Sequence, residues 1–111
     1  GEDTFQGLDG DDFLWGGRDN DTLHGQAGTD TIYAGKDDDI VKGGAGADML
    51  YGQQGDDDIR GGADADQIFG GSGDDYIEGG AAGDTIRGGK APTTFPAAAA
   101  TTMSRVAIRA T

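Results

Sequence analysis

Aspartate recurs at every ninth residue of this 111-residue chain, without a break, over ten successive positions. Carboxylates at a fixed interval are candidate ligands for a hard cation, and a repeated acid predicts a repeated cation site. The ten predicted ligands are Asp3, Asp12, Asp21, Asp30, Asp39, Asp48, Asp57, Asp66, Asp75 and Asp84.

An apolar side chain follows each of these aspartates two residues later, which gives a second column with the same period. A period this short is typical of stacked repeats, in which each unit buries its apolar residue against its neighbours. We therefore predict one core made of Phe5, Leu14, Leu23, Ile32, Val41, Leu50, Ile59, Ile68, Ile77 and Ile86.

Each repeat is predicted to be a six-residue turn followed by a three-residue strand. With the aspartate in the sixth column, nine full repeats span residues 7–87, partial repeats flank them within 1–90, and the chain begins inside a repeat. Glycine dominates the first, second and fourth columns, as tight turns with positive φ require. Ala82 replaces glycine in the fourth column, so the last turn is expected to be the most distorted.

Two segments carry the repeat in its clearest form, GGAGADMLY at residues 43–51 and GGSGDDYIE at residues 70–78. They resemble the calcium-binding nonapeptide G-G-x-G-x-D-x-U-x of RTX (repeat-in-toxin, haemolysin-type) proteins. The resemblance implies an all-β, right-handed parallel β-roll with two nonapeptides in each 18-residue coil. It also implies Ca²⁺ between turns stacked on the same edge, and secretion from a bacterium by the type I route.

Calcium is also the ion that the residues themselves favour. Aspartates 18 residues apart would lie one rung apart, about 4.8 Å, where two carboxylates repel unless a cation separates them. Ca²⁺ takes six to eight oxygens in a flexible geometry, whereas Zn²⁺ prefers His or Cys and Mg²⁺ retains its waters. Nine turns give seven such pairs, hence about seven ions. Turn carbonyls are predicted to complete the coordination, from Gly10, Gly17, Gly28, Gly35, Gly44, Gly46, Gly55, Gly62, Gly71, Gly73 and Gly80.

Composition excludes several other functions. The net charge is −13, and all 21 acidic residues lie within residues 1–87, which disfavours nucleic acid and anionic membrane as partners. The chain has no cysteine, no apolar run of membrane-spanning length, no EF-hand loop and no phosphate-binding loop. His24 is interpreted as a surface residue and no catalytic motif is present, so we predict no enzymatic activity within this chain.

Alternate repeats should build opposite faces of the roll. In the ninth column one face then carries Trp15, Tyr33, Tyr51 and Phe69, and ends at Arg87. The other face is polar, with His24, Lys42, Arg60 and Glu78. The aromatic row either stabilises adjacent rungs by stacking or forms a surface for a docking domain or a glycan.

Residues 91–111 break the period and are rich in Pro, Ala and Thr, as in a linker. Val106 and Ile108 fall on one side of a candidate strand that could cap the roll, and disorder is the alternative.

The chain is thus interpreted as a module that binds Ca²⁺ and folds outside the cell, as part of a secreted bacterial protein. The alternatives are a glycan- or partner-binding module that uses the aromatic face, and an accessory module of a secreted hydrolase, epimerase or toxin.

Overall fold

A computed structural model describes residues 1–89 of the chain, together with the backbone of Thr93–Thr94 and Thr102–Ile108. These residues form strands joined by short turns, and no helix that could cross a membrane occurs among them.

The strands form two parallel sheets, and successive strands alternate between them. The odd sheet contains β1 (Thr4–Gln6), β3 (Thr22–Ala27), β5 (Ile40–Ala45), β7 (Asp58–Gly62), β9 (Asp75–Gly80) and β11 (Thr93–Thr94). The even sheet contains β2 (Phe13–Gly17), β4 (Thr31–Gly35), β6 (Met49–Gln53), β8 (Gln67–Phe69), β10 (Gly83–Gly89) and β12 (Thr102–Ile108). This is the predicted parallel β-roll.

Within residues 1–89 each strand pairs with the strand 18 residues further along the chain. Leu23 lies beside Val41 in the odd sheet, and Ile32 lies beside Leu50 in the even sheet. Two nonapeptides therefore complete one coil, as predicted. The turns stack along two edges of the roll: the first edge holds residues 7–12, 25–30, 43–48, 61–66 and 79–84, and the second edge holds residues 16–21, 34–39, 52–57 and 70–75.

The core is the predicted apolar column. Eight of its members are completely buried between the sheets, and Ala34 joins them; Phe5 and Leu14, in the first coil, are only partly buried. Neighbouring positions of each strand point outward, as the alternating burial of Asp75–Gly80 shows. One apolar side chain per repeat is a thin core, so the turns must contribute to stability as well.

The two C-terminal strands continue the sheets. β11 pairs with β9, and β12 pairs with β10 through a register that shifts twice. The rest of the predicted linker or cap, residues 90–92, 95–101 and 109–111, lies outside the described part of the chain.

Every second- and fourth-column residue has a positive φ, including those that are not glycine. Ala82 has a φ of 74°, within the range of 72–78° that the other non-glycine residues of these columns adopt. The prediction that the last turn is the most distorted is therefore wrong. The turn keeps the same backbone conformation, and the steric cost of the positive φ falls on Ala82.

Replacing Ala82 with glycine should raise the free energy of unfolding by about 1 kcal/mol, because glycine adopts this φ without steric cost. Ala81→Gly is the matched control, since the neighbouring exposed alanine has no positive φ. That substitution should lower stability by about 0.5–1 kcal/mol. Thermal unfolding of both variants at one fixed calcium concentration tests the pair, and equal shifts would contradict the assignment of strain to Ala82.

Candidate functional site

The repeated aspartates close each turn immediately before or at the start of the next strand. Eight of them are at most 2% exposed: Asp21, Asp30, Asp39, Asp48, Asp57, Asp66, Asp75 and Asp84. Asp12 is half-buried and Asp3 is exposed, because both lie in the first coil and only one neighbouring coil covers them. Buried carboxylates are rare unless they are paired or bind a cation.

One oxygen of each buried carboxylate binds the preceding coil. Oδ1 of Asp39 accepts a hydrogen bond from the backbone N–H of Asp21 at 2.7 Å, and Oδ1 of Asp57 accepts one from Asp39 at 2.8 Å. The same bond, always 18 residues apart, recurs for Asp21, Asp30, Asp48, Asp66, Asp75 and Asp84 as acceptors. Sequence reasoning did not predict this ladder of hydrogen bonds, which links each buried carboxylate to the preceding coil without any ion.

The second oxygen, Oδ2, is buried and has no hydrogen-bond partner in Asp12, Asp21, Asp30, Asp39, Asp48, Asp57, Asp66 and Asp75. In every one of these turns except that of Asp39, where Ala34 stands in the first column, Oδ2 faces the first-column glycine of its own turn. A Cβ added to Gly43 would lie 2.5 Å from Oδ2 of Asp48 and 2.7 Å from the carbonyl oxygen of Gly61 in the next coil. Glycine in the first column thus leaves room for a carboxylate oxygen beside a carbonyl oxygen. Both are acceptors, so the pair requires a donor or a cation.

Burial raises the pKa of seven of the repeated aspartates, from Asp30 to Asp84. The pKa of Asp57 rises to about 8, chiefly because of burial; the N–H of Asp39 opposes the rise, and the negative charges of Asp75 and Asp39 add to it. For the same leading reason the pKa values of Asp66 and Asp75 rise to about 7, and those of Asp39 and Asp48 rise to about 6. The cost of charge in this column therefore comes mainly from lost hydration, and only secondarily from the repulsion that the sequence suggested.

The predicted carbonyl ligands lie in two different environments. Second-column carbonyls already accept a backbone N–H from the next coil, as Gly17 does from Lys36 at 2.8 Å and Gly44 does from Ala63 at 2.9 Å. Fourth-column carbonyls point along the stack, as second-column carbonyls also do: a Cβ on Gly28 would collide with the oxygen of Gly10. First-column carbonyls, such as those of Gly61 and Gly70, approach the same first-column glycines as the unpartnered carboxylate oxygens do, and sequence reasoning missed them.

The donor set suits a calcium ion. Among the described residues no three His, Cys, Asp or Glu side chains converge, so backbone carbonyls would have to supply most of the ligands. Carboxylate and carbonyl oxygens are hard donors, which Ca²⁺ accepts in large and flexible numbers. The buried aspartates would hold the ion, and its charge would compensate oxygens that are otherwise unpaired.

A further row of acids lies outside the buried column on the second edge. These acids are exposed neighbours of the repeated aspartates, and they also join the coils. Oδ1 of Asp38 accepts the N–H of Asp56, and Oδ1 of Asp56 accepts the N–H of Asp74, both at 2.8 Å. Adjacent coils are thus also joined at the surface, where the exposed carboxylates accept hydrogen bonds from the following coil.

The predicted aromatic row forms on the outer face of the even sheet. The rings of Tyr33 and Tyr51 stack at 4.5 Å, those of Tyr51 and Phe69 stack at 4.8 Å, and Arg87 lies over Phe69. The ring that approaches Tyr33 from the first coil is that of Phe13, at 5.4 Å and tilted, rather than that of Trp15. The opposite face carries the predicted polar stripe, where Arg60 forms an ion pair with Asp58.

Comparison with known proteins agrees with this geometry. The family model of the RTX calcium-binding nonapeptide repeat matches the chain in four overlapping copies, at residues 1–32, 24–59, 33–68 and 51–86. Searches of curated proteins and of solved structures gave no significant match.

Proposed function

Because the chain belongs to the RTX calcium-binding nonapeptide repeat family, whose model covers residues 1–86, we propose that it is a module that binds Ca²⁺ and folds as it does so. The proposal rests on one observation above all. A column of buried carboxylate oxygens has no hydrogen-bond partner. At six first-column glycines, one such oxygen and a carbonyl oxygen of the next coil both lie within 3 Å of the place that a Cβ would occupy.

The binding residues proposed are the repeated aspartates, from Asp3 to Asp84, together with turn carbonyls. Each ion would supply positive charge between two coils. Without it, several carboxylates would be buried with their charge uncompensated, and the coils would separate. Binding and folding are therefore the same event, as is usual for sites whose ligands come together only in the folded chain. Seven pairs of turns lie one coil apart, which suggests about seven ions.

A calcium titration followed by circular dichroism tests the proposal. Metal-free protein should show little β signal, and the signal should rise cooperatively between about 10⁻⁴ and 10⁻³ M Ca²⁺, the range of extracellular calcium modules. A chelator should reverse the change, and Mg²⁺ at equal concentration should produce much less of it. A spectrum that does not respond to calcium would exclude the mechanism.

The setting that we propose is extracellular, in a secreted bacterial protein exported by the type I route. RTX repeats occur in secreted bacterial proteins, and the thin core of this roll supports the same idea. With one apolar side chain per repeat, the acidic chain should stay extended where calcium is scarce, and should fold where calcium is plentiful. The module itself is structural, and any catalysis in the parent protein, whether hydrolase, epimerase or toxin, is assigned to other sequence.

A further inference from the structure

Two shallow depressions open side by side on the aromatic face, at the end of the roll nearest the N-terminus. One is lined by Phe13, Trp15, Tyr33 and Gln53; the other includes Trp15, Arg18, Lys36, Gln53 and Gln54. Trp15 and Gln53 belong to both. We refer to the six residues Phe13, Trp15, Arg18, Lys36, Gln53 and Gln54 as the Trp15 corner.

The Trp15 corner is the part of the aromatic row where a ring can meet a ligand face to face. Tyr33, Tyr51 and Phe69 are stacked within 8° of parallel, so that each covers its neighbour, and they present mainly their edges. Trp15 is 66% exposed and Phe13 is 63% exposed. The stacked rings therefore stabilise the rungs, and recognition is confined to the first two aromatic residues.

Positive charge is concentrated at the same corner. Residues 1–87 contain only five basic side chains, and two of them, Arg18 and Lys36, lie on consecutive coils of the second edge. Within residues 1–89 neither forms an ion pair. Asp19 and Asp37 follow these two residues in the sequence and keep their negative charge, but the lining of the two depressions contains Arg18 and Lys36 and no carboxylate. The lining of this corner is therefore complementary to an anion.

Gln53 occupies a position that its backbone disfavours. Its φ is 72°, and the corresponding residues in the same column of this edge are Gly17, Gly35 and Gly71. A glutamine there costs stability that a glycine would not. Together with exposed Gln54, it supplies two neighbouring side-chain amides, groups that can both donate to and accept from hydroxyls.

We propose that the Trp15 corner binds an acidic pyranose unit, a uronate residue of an anionic polysaccharide. The indole of Trp15 would cover the apolar face of the sugar ring, and the two glutamine amides would bind ring hydroxyls. Arg18 and Lys36 would bind the carboxylate. A second copy of this chain fits less well, because two such corners, each lined by Arg18 and Lys36 without an acid, repel each other.

Trp15 is the only tryptophan of the chain, so its fluorescence reports directly on the corner. With the protein saturated with calcium and its β signal verified, a trimer of galacturonate should change the emission and bind saturably. The fully methyl-esterified trimer should bind at least ~10-fold more weakly, because it lacks the carboxylates. Equal binding of the two trimers would overturn the proposal, and so would the absence of any change at millimolar trimer.

Two double variants distinguish binding of the trimer at the Trp15 corner from attraction to the charge of the protein as a whole. Arg18→Ser with Lys36→Ser should weaken binding of the acidic trimer about tenfold or more and leave the ester unaffected. Lys42→Ser with Arg60→Ser removes the same charge from the opposite face and should change neither; an equal loss in this control would contradict a built site.

Gln53→Gly gives the most specific result. It should weaken binding of the acidic trimer severalfold by calorimetry while raising the melting temperature, since glycine relieves the positive φ. Unchanged affinity in this variant would remove Gln53 from the site.

Sedimentation of the wild type should show a monomer; a concentration-dependent dimer that shields Trp15 would instead identify a second copy as the occupant. Because every measurement uses the calcium-loaded roll, failure here leaves the calcium function intact.

Discussion

Replacing Asp57 with asparagine should raise the calcium concentration needed for folding about tenfold and lower the number of bound ions. The variant keeps Oδ1, which accepts the N–H of Asp39, and replaces the orphan Oδ2 with an NH₂ group. That group would lie near the carbonyl of Gly70, since a Cβ on Gly52 would be 2.6 Å from Oδ2 and 2.7 Å from this carbonyl. An amide can donate there, so the variant satisfies the site without an ion and loses a charged ligand.

The sign of this change separates two accounts of the buried column. If the column were only structural, removing a buried, uncompensated charge would stabilise the roll and lower its need for calcium. If the column binds calcium, the need rises. Asp56→Asn is the matched control. Asp56 precedes Asp57, carries the same charge and also accepts a backbone N–H, but its side chain is exposed. We expect at most a twofold shift there, and circular dichroism with calcium calorimetry measures both variants.

Acidification should weaken calcium binding steeply between pH 8 and pH 6. The pKa of Asp57 is raised to about 8 and those of Asp66 and Asp75 are raised to about 7 in the metal-free fold, all mainly by burial. In the metal-free fold these carboxyl groups hold protons in that range, acidification populates this fold, and calcium must displace those protons to bind it. The calcium midpoint should therefore be severalfold higher at pH 6 than at pH 8, and Asp57→Asn should flatten the dependence. A midpoint that does not vary with pH would contradict this prediction, since it would mean that no protonated metal-free fold competes with calcium.

The metal-free chain should show the opposite trend. A raised pKa in the folded state means that folding takes up protons, so this contribution to stability is fully present below the ordinary pKa of 3.8. It is lost as the pH rises through about 8, where Asp57 ionises in the fold. Metal-free protein should thus gain β signal near pH 4 and lose it toward pH 8. Calcium at pH 8 should restore the signal.

Much of the fold follows from the sequence because the period dictates it. An aspartate and an apolar residue in fixed phase place Leu23, Ile32 and their equivalents inside, and place a carboxylate at the end of each turn. The pairing interval follows once two repeats make a coil, and the parallel sheets confirm it. Periodicity is informative here because every repeat places one apolar residue in the core and one carboxylate at the end of its turn.

The sequence was less informative about atoms that point between coils. Which oxygen of Asp39 bonds to Asp21, and which oxygen remains without a partner, depends on side-chain torsions that residue types do not encode. The first-column glycines were interpreted as turn formers, whereas a Cβ at Gly43 would collide with Asp48. The ring that meets Tyr33 is Phe13, because contact depends on where a side chain leans and not only on its column.

The pairing interval of 18 residues makes the coil, rather than the nonapeptide, the unit by which such a chain can lengthen or shorten. Gaining or losing 18 residues leaves every later side chain on its original face and adds or removes two equivalent turns. Gaining or losing nine would exchange the two sheets downstream of the change. If the change lay between Tyr33 and Tyr51, Tyr51 and Phe69 would continue the column of His24 on the other sheet, and their stacking with Tyr33 would be lost.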